Sequence, residues 1–81
     1  MKLEKIANNF HKMTAGQLSF YFSFETCIAF KDGLEYYISE NIWSNSTGKH
    51  LDMIDPDKKI RMPNQTFEKA LSEKIKEMNK K

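Results

Sequence analysis

Eighty-one residues, 40% hydrophobic and 30% charged, with six Phe, three Tyr and one Trp, suffice for one economical domain, residues 1–81, and are too aromatic for a disordered chain. The single Cys27 excludes an internal disulfide and a cysteine-based metal site, and with no apolar run long enough for a membrane span or a signal peptide, a cytoplasmic setting is expected. The net charge of +2 hides an asymmetry: residues 1–57 carry five Lys against eight Asp or Glu, and residues 58–81 carry eight Lys or Arg against three Glu.

In chain order, Leu3, Ile6, Ala7 and Phe10 fall at i, i+3, i+4 and i+7, which predicts a short amphipathic helix over residues 2–12, ended by Thr14-Ala15-Gly16. From Leu18 the period becomes two. Leu18, Phe20, Phe22, Phe24, Thr26, Ile28 and Phe30 alternate with more polar neighbours, which is strand patterning. One straight strand of that length, about 43 Å at about 3.3 Å per residue, is too long for so small a domain, so a bend or turn near Glu25-Thr26 is expected.

Lys31-Asp32-Gly33 reads as a hairpin turn into a strand from Leu34 to Glu40. A three-residue loop with Gly33 at positive φ pairs Phe30 with Leu34 and Ile28 with Tyr36, placing Ile28, Phe30, Leu34, Tyr36 and Ile38 on one core face. Residues 39–51 are dense in turn formers and read as an ordered loop anchored by a buried Trp43. Leu51, Met53 and Ile54 have room for one helical turn before Asp55-Pro56-Asp57 stops regular structure. Pro63-Asn64-Gln65-Thr66 starts a C-terminal helix whose inward face is Phe67, Ala70, Leu71, Ile75 and Met78, fraying at Lys80-Lys81. The fold class expected is α+β, a small antiparallel sheet of two to three strands packed by an N-terminal and a C-terminal helix.

Few residues carry recognisable chemistry. Gly48-Lys49 after Ser-Thr resembles the end of a phosphate-binding loop, but the first Gly of that motif is missing and His50 stands where it requires Ser or Thr. With His11 and His50 as the only histidines, no metal set and no cofactor is expected. Cys27, mid-strand, is the one candidate nucleophile and reads more simply as a small buried thiol. Glu25, Glu35 and Glu40 cannot be paired as acid and base from the sequence. The chain is therefore expected to bind rather than to catalyse.

Ser39-Glu40-Asn41-Ile42-Trp43-Ser44, followed by Thr47-Gly48-Lys49-His50-Leu51, resembles the signature of a family of short bacteriophage proteins of unknown function. Phe22-Ser23-Phe24-Glu25-Thr26 and Ile28-Ala29-Phe30 fit it as well, and the resemblance covers residues 3–71. It implies a phage origin, and hence an accessory factor acting on a host or defence protein, such as an anti-CRISPR inhibitor. On this reading Ser44, Asn45, Thr47, Lys49 and His50 form the partner-binding surface, aided by a nearby strand edge. The alternative is nucleic-acid binding by the basic segment 58–81, with Lys58, Lys59 and Arg61 on phosphate and Tyr21 or Tyr37 stacking on bases. A monomer or small homo-oligomer suits either.

Overall fold

The alternation that begins at Leu18 extends to both sides of it. The computed structural model describes residues 2–79, apart from the side chains of residues 58, 78 and 79. In it β1 (Lys2–Ala7), β2 (Phe10–Ala15), β3 (Leu18–Ser23), β4 (Thr26–Asp32) and β5 (Glu35–Ile38) form one sheet in the order β1-β2-β3-β4-β5, each pair antiparallel. Two helices follow, α1 (Asn45–Ile54) and α2 (Asn64–Asn79), joined through a 3-10 turn at Lys58–Ile60.

The α+β class holds, but the expected two or three strands flanked by terminal helices do not. The predicted N-terminal helix is the β1-β2 hairpin. Its helical stripe buries little, since Leu3 is 69% and Ile6 44% exposed, while Phe10, at 1%, points from β2 into the core. What the stripe concealed was a turn. Asn8-Asn9 link the strands with Asn9 at φ 59°, a left-handed conformation that Asn tolerates better than most residues.

Turns of two residues also join the later strands. Gly16-Gln17 lies between β2 and β3, and Phe24-Glu25 divides the long alternating run into β3 and β4, where a bend or turn was expected. The β4-β5 turn is Gly33-Leu34, because Asp32 pairs with Glu35 and Phe30 with Tyr37. Gly33 does take positive φ, 62°, but the predicted pairing of Phe30 with Leu34 is overturned. The observed register leaves Leu34 92% exposed at the tip and brings the Phe30 and Tyr37 rings to 4.6 Å, nearly parallel.

The expected common face of Ile28 and Phe30 fails for a second reason. A register shift between Tyr21 and Phe22 leaves Ile28 as an extra residue in β4, so alternation resumes out of step. Ile28 and Ala29 then both join Phe10, Tyr21, Ile38 and Leu51 under α1, with Trp43 and Ile54 packed at the margin. Phe30 joins Phe20 and Phe67 under α2, bordered by Met13, Leu18, Phe22, Tyr37, Ala70 and Leu71. The sheet is thus covered on both faces, one helix to each.

The C-terminal helix begins where Pro63-Asn64 predicted. The Glu40 carboxylate accepts from the Asn64 N–H at 2.9 Å, Phe67 N–H donates to Pro63 O, and Lys74 Nζ reaches Asp32 Oδ2 at 2.6 Å, pinning the helix to β4. A parallel bridge between Ser39 and Met62 ties the connector to the end of β5. Lys80 and Lys81, the predicted frayed end, lie outside the described residues. Among the described residues no helix is long and apolar enough to cross a membrane.

Candidate functional site

The segment read as an irregular loop contains a three-turn helix. Its start is encoded locally: Ser44, at φ −125° and ψ 170°, is the N-cap, and its hydroxyl accepts from the Thr47 N–H at 3.3 Å. Gly48 N–H donates to Ser44 O at 2.9 Å, and Asp55 N–H closes the far end on Leu51 O at 3.0 Å. Turn formers and N-cap residues are the same residue types, because a side chain that satisfies a free backbone N–H serves either structure. Tertiary burial of Leu51, fully enclosed, settles the choice for helix.

Asn41 steadies the entry. Its Oδ1 accepts from the Trp43 N–H at 3.0 Å and its Nδ2 donates to Ser44 O at 3.1 Å. Trp43 itself is half-buried against the core under α1 rather than fully enclosed.

Three stripes divide α1. Thr47, His50, Leu51 and Ile54 turn inward. Ser23 Oγ, 2% exposed on β3, lies 2.6 Å from His50 Nδ1 and 3.0 Å from Thr47 Oγ1, and the His50 ring lies flat on Phe10 with centroids 4.7 Å apart. A Ser–His hydrogen bond is also the core of a hydrolytic site. Here the serine is sealed from substrate and the third member is a neutral threonine, so the trio is a polar strut that fixes helix to sheet. Two residues assigned to partner binding, Thr47 and His50, thus face mainly inward, while Ser44, Asn45 and Lys49 are exposed.

Ser46, Lys49, His50 and Met53 form the second stripe and border a depression of about 380 Å³ completed by Ala7, Asn8, Asn9 and Phe24. Phe24 is unusual. It sits at φ 58°, where a Cβ is disfavoured and a bulky residue is an outlier, yet its ring is 49% exposed, 6.0 Å from that of His50. Its N–H donates to Asn9 O at 2.7 Å, so two hairpin turns hold each other. A second depression, of about 490 Å³ and bordered by His11, Glu25 and Thr26, lies against the same ring. Met53 is 58% and Ile6 44% exposed.

The third stripe is Asn45, Gly48, Lys49 and Asp52, facing Asn41 and Arg61 across a polar depression of about 390 Å³. Arg61 Nη2 donates to Asp52 Oδ1 at 2.8 Å. Two residues assigned to different functions, Lys49 and Arg61, therefore border one site. The other members of the basic set are not gathered there: Lys59 is exposed on the connector, and the side chain of Lys58 lies outside the described residues. Neither aromatic proposed to stack on bases is free, for Tyr21 is 8% exposed beneath Lys12 and Tyr37 is stacked on Phe30.

The remaining candidates have structural roles. Cys27 lies on the α2 side, where burial pushes its thiol up to about 12, so it remains protonated at neutral pH and is a poor nucleophile. Glu40 caps α2, and Glu35 accepts from the Tyr37 hydroxyl at 2.9 Å. No signal in the sequence marked Phe24; its alternation made it a core position.

Fold and site together define a small α+β domain, an antiparallel meander with a helix laid on each face and two depressions bordered by the first helix. The chain belongs to a family of unknown function, DUF8033, whose model matches residues 1–69 and so includes the whole sheet, α1 and the connector. No curated protein and no solved structure matches it.

Proposed function

We propose that the chain acts by binding another protein through the surface formed by α1 and the Phe24 turn. The observation that carries this is Phe24 itself, a large aromatic held half-exposed at a left-handed φ between two depressions. Strain of about 1–3 kcal/mol, spent to present an apolar ring to water, gains the fold no stability and so supports a role for the ring in recognition. Exposed aromatic and Met side chains rimmed by amide and Lys groups have the composition of an interface hot spot. Lys49, assigned to partner binding from the sequence, stands at its rim.

The resemblance to short phage proteins supports a host or defence protein as the partner and an accessory, anti-defence role. The nucleic-acid alternative has less to stand on, since Lys59 does not border the site that Arg61 shares with Lys49 and the two tyrosines are committed to the core. The test immobilises the chain, exposes it to bacterial lysate and identifies retained proteins. A specific partner should be retained by the wild type and by a Lys69→Ala control, and lost with Phe24→Ser or Lys49→Ala. A retained protein indifferent to both site variants, or retained nucleic acid alone, refutes the assignment.

A further inference from the structure

The second flank of α1 has features that protein docking does not require. Arg61 is nine-tenths buried, its side chain 9% exposed, and its Nε–H is enclosed without any hydrogen-bond partner. Buried donors are almost always paired, because leaving one unmade forfeits its hydration with nothing in return. Asp52 engages only Nη2. Arg61 also borders the depression lined by Asn41, Asn45, Gly48 and Lys49, so the terminal N–H groups that Asp52 leaves free are its donors there, while the unpaired Nε–H marks a guanidinium whose hydrogen bonding is incomplete.

The depression is built around a missing side chain. A Cβ on Gly48 would come within 2.9 Å of Asn41 Nδ2, so the glycine is what lets that amide lie against the helix. Asn41 is in turn fixed by its two backbone hydrogen bonds, so the wall is preorganised. The first turn of α1 holds no acidic residue, and Lys49 projects from the crest. Two cations against the single carboxylate of Asp52 leave the site with net positive charge.

We propose that this depression binds the phosphate group of a small ligand. A planar guanidinium with terminal N–H groups to spare, a neighbouring ammonium and the second N–H of the fixed Asn41 amide suit a tetrahedral oxyanion, which accepts hydrogen bonds from several directions at once. The site is not a phosphate-binding loop of the kind its Gly48-Lys49 pair resembles. Its ligand is held by one side of a helix and an arginine from the following connector.

The only tryptophan supplies the readout, because the Trp43 backbone N–H is bonded to Asn41 Oδ1, which places that residue beside the site. Trp43 fluorescence is titrated with inorganic phosphate and, separately, with adenosine monophosphate, at ionic strength held constant with chloride. A saturable change with either probe is expected. Response to both assigns the site to the phosphate of a larger ligand, and response to inorganic phosphate alone assigns it to the free anion. Lys49→Gln, an exposed change that leaves folding intact, and Arg61→Lys, which keeps the charge but removes the fork, should each weaken binding at least tenfold. Phe24→Asn should leave it unchanged, which separates this site from the protein-binding surface. No saturable response with either probe, or wild-type affinity in both Lys49→Gln and Arg61→Lys, overturns the proposal.

Discussion

The two faces of one sheet are packed on different principles. Under α2, Phe20, Phe30 and Phe67 meet ring to ring, with Phe30 5.8 Å from Phe67 and 6.1 Å from Phe20, and this central cluster is apolar, the helix's polar ties to the sheet side lying at Asn64–Ser39 and Lys74–Asp32. Under α1 the core includes a Ser–His–Thr network, and just beyond it stand a strained turn and two depressions. The α2 face is optimised for burial, which is non-directional and forgiving. The α1 face spends stability on directional groups, which hold one helix in one place. A surface that must present Lys49, Phe24 and Arg61 in fixed geometry needs the second kind of packing.

That contrast can be tested by degrees. Phe67→Ala, on the fully buried α2 face, should cost about 3–5 kcal/mol by chemical denaturation, the usual range for emptying an aromatic from a core. A loss under 1 kcal/mol would show that α2 is not held by burial. Ser23→Ala, which removes the centre of the strut and leaves His50 Nδ1 and Thr47 without it, should cost about 1–3 kcal/mol and loosen α1 selectively. Amide hydrogen exchange is the discriminating measurement: protection should fall in residues 45–54 and persist in 64–77. Uniform loss along the chain would erase the distinction between the faces.

Cys27 extends the comparison to pH. Its folded thiol is held at about 12 by burial, above the ordinary 9.0. Its contribution is therefore complete below pH 9 and is lost as pH rises towards 12, because the unfolded thiol ionises first. Within that window the loss is about 1.4 kcal/mol per pH unit. Cys27→Ala should show a correspondingly shallower alkaline decline in denaturation midpoints than the wild type; parallel profiles would mean that the thiol is not buried in the fold.

The smallest effect expected is the most telling. Phe24→Asn should leave stability within about 1 kcal/mol of the wild type, since relief of the left-handed strain offsets the loss of a half-exposed ring. A drop as large as that of Phe67→Ala would make Phe24 a core residue and remove the principal support for a docking surface.

Much of the α2 face was legible in the sequence. Alternation marked Phe20 and Phe30, Pro63-Asn64 marked the helix start, and the spacing of Phe67, Ala70 and Leu71 marked the stripe that packs on the sheet, although Ile75, expected on the same face, is 46% exposed and the side chain of Met78 lies outside the described residues. The α1 face was less so. Its helix begins in Ser-Asn-Ser-Thr-Gly, a composition that turns share, and its inward stripe includes Thr47 and His50, whose polarity hides the 3.6 period.

By itself, then, the sequence determined an α+β class, the strand from Leu18, a turn near Glu25 and the C-terminal helix, whereas Gly33 takes the expected positive φ in a register other than the one from which it was argued. These rest on local signals: a period sustained over enough residues, or a backbone conformation that one residue type favours. Only the tertiary structure decided that Leu3–Phe10 is a hairpin, because β1 owes its conformation to pairing along β2 rather than to its own short stripe. Only it decided the β4 bulge, which sends Ile28 and Phe30 to opposite faces, and the meeting of Lys49 with Arg61 across a gap that Gly48 leaves open. Pairing, bulge and site all join residues that are not neighbours on any one helix or strand, and no local period carries that information.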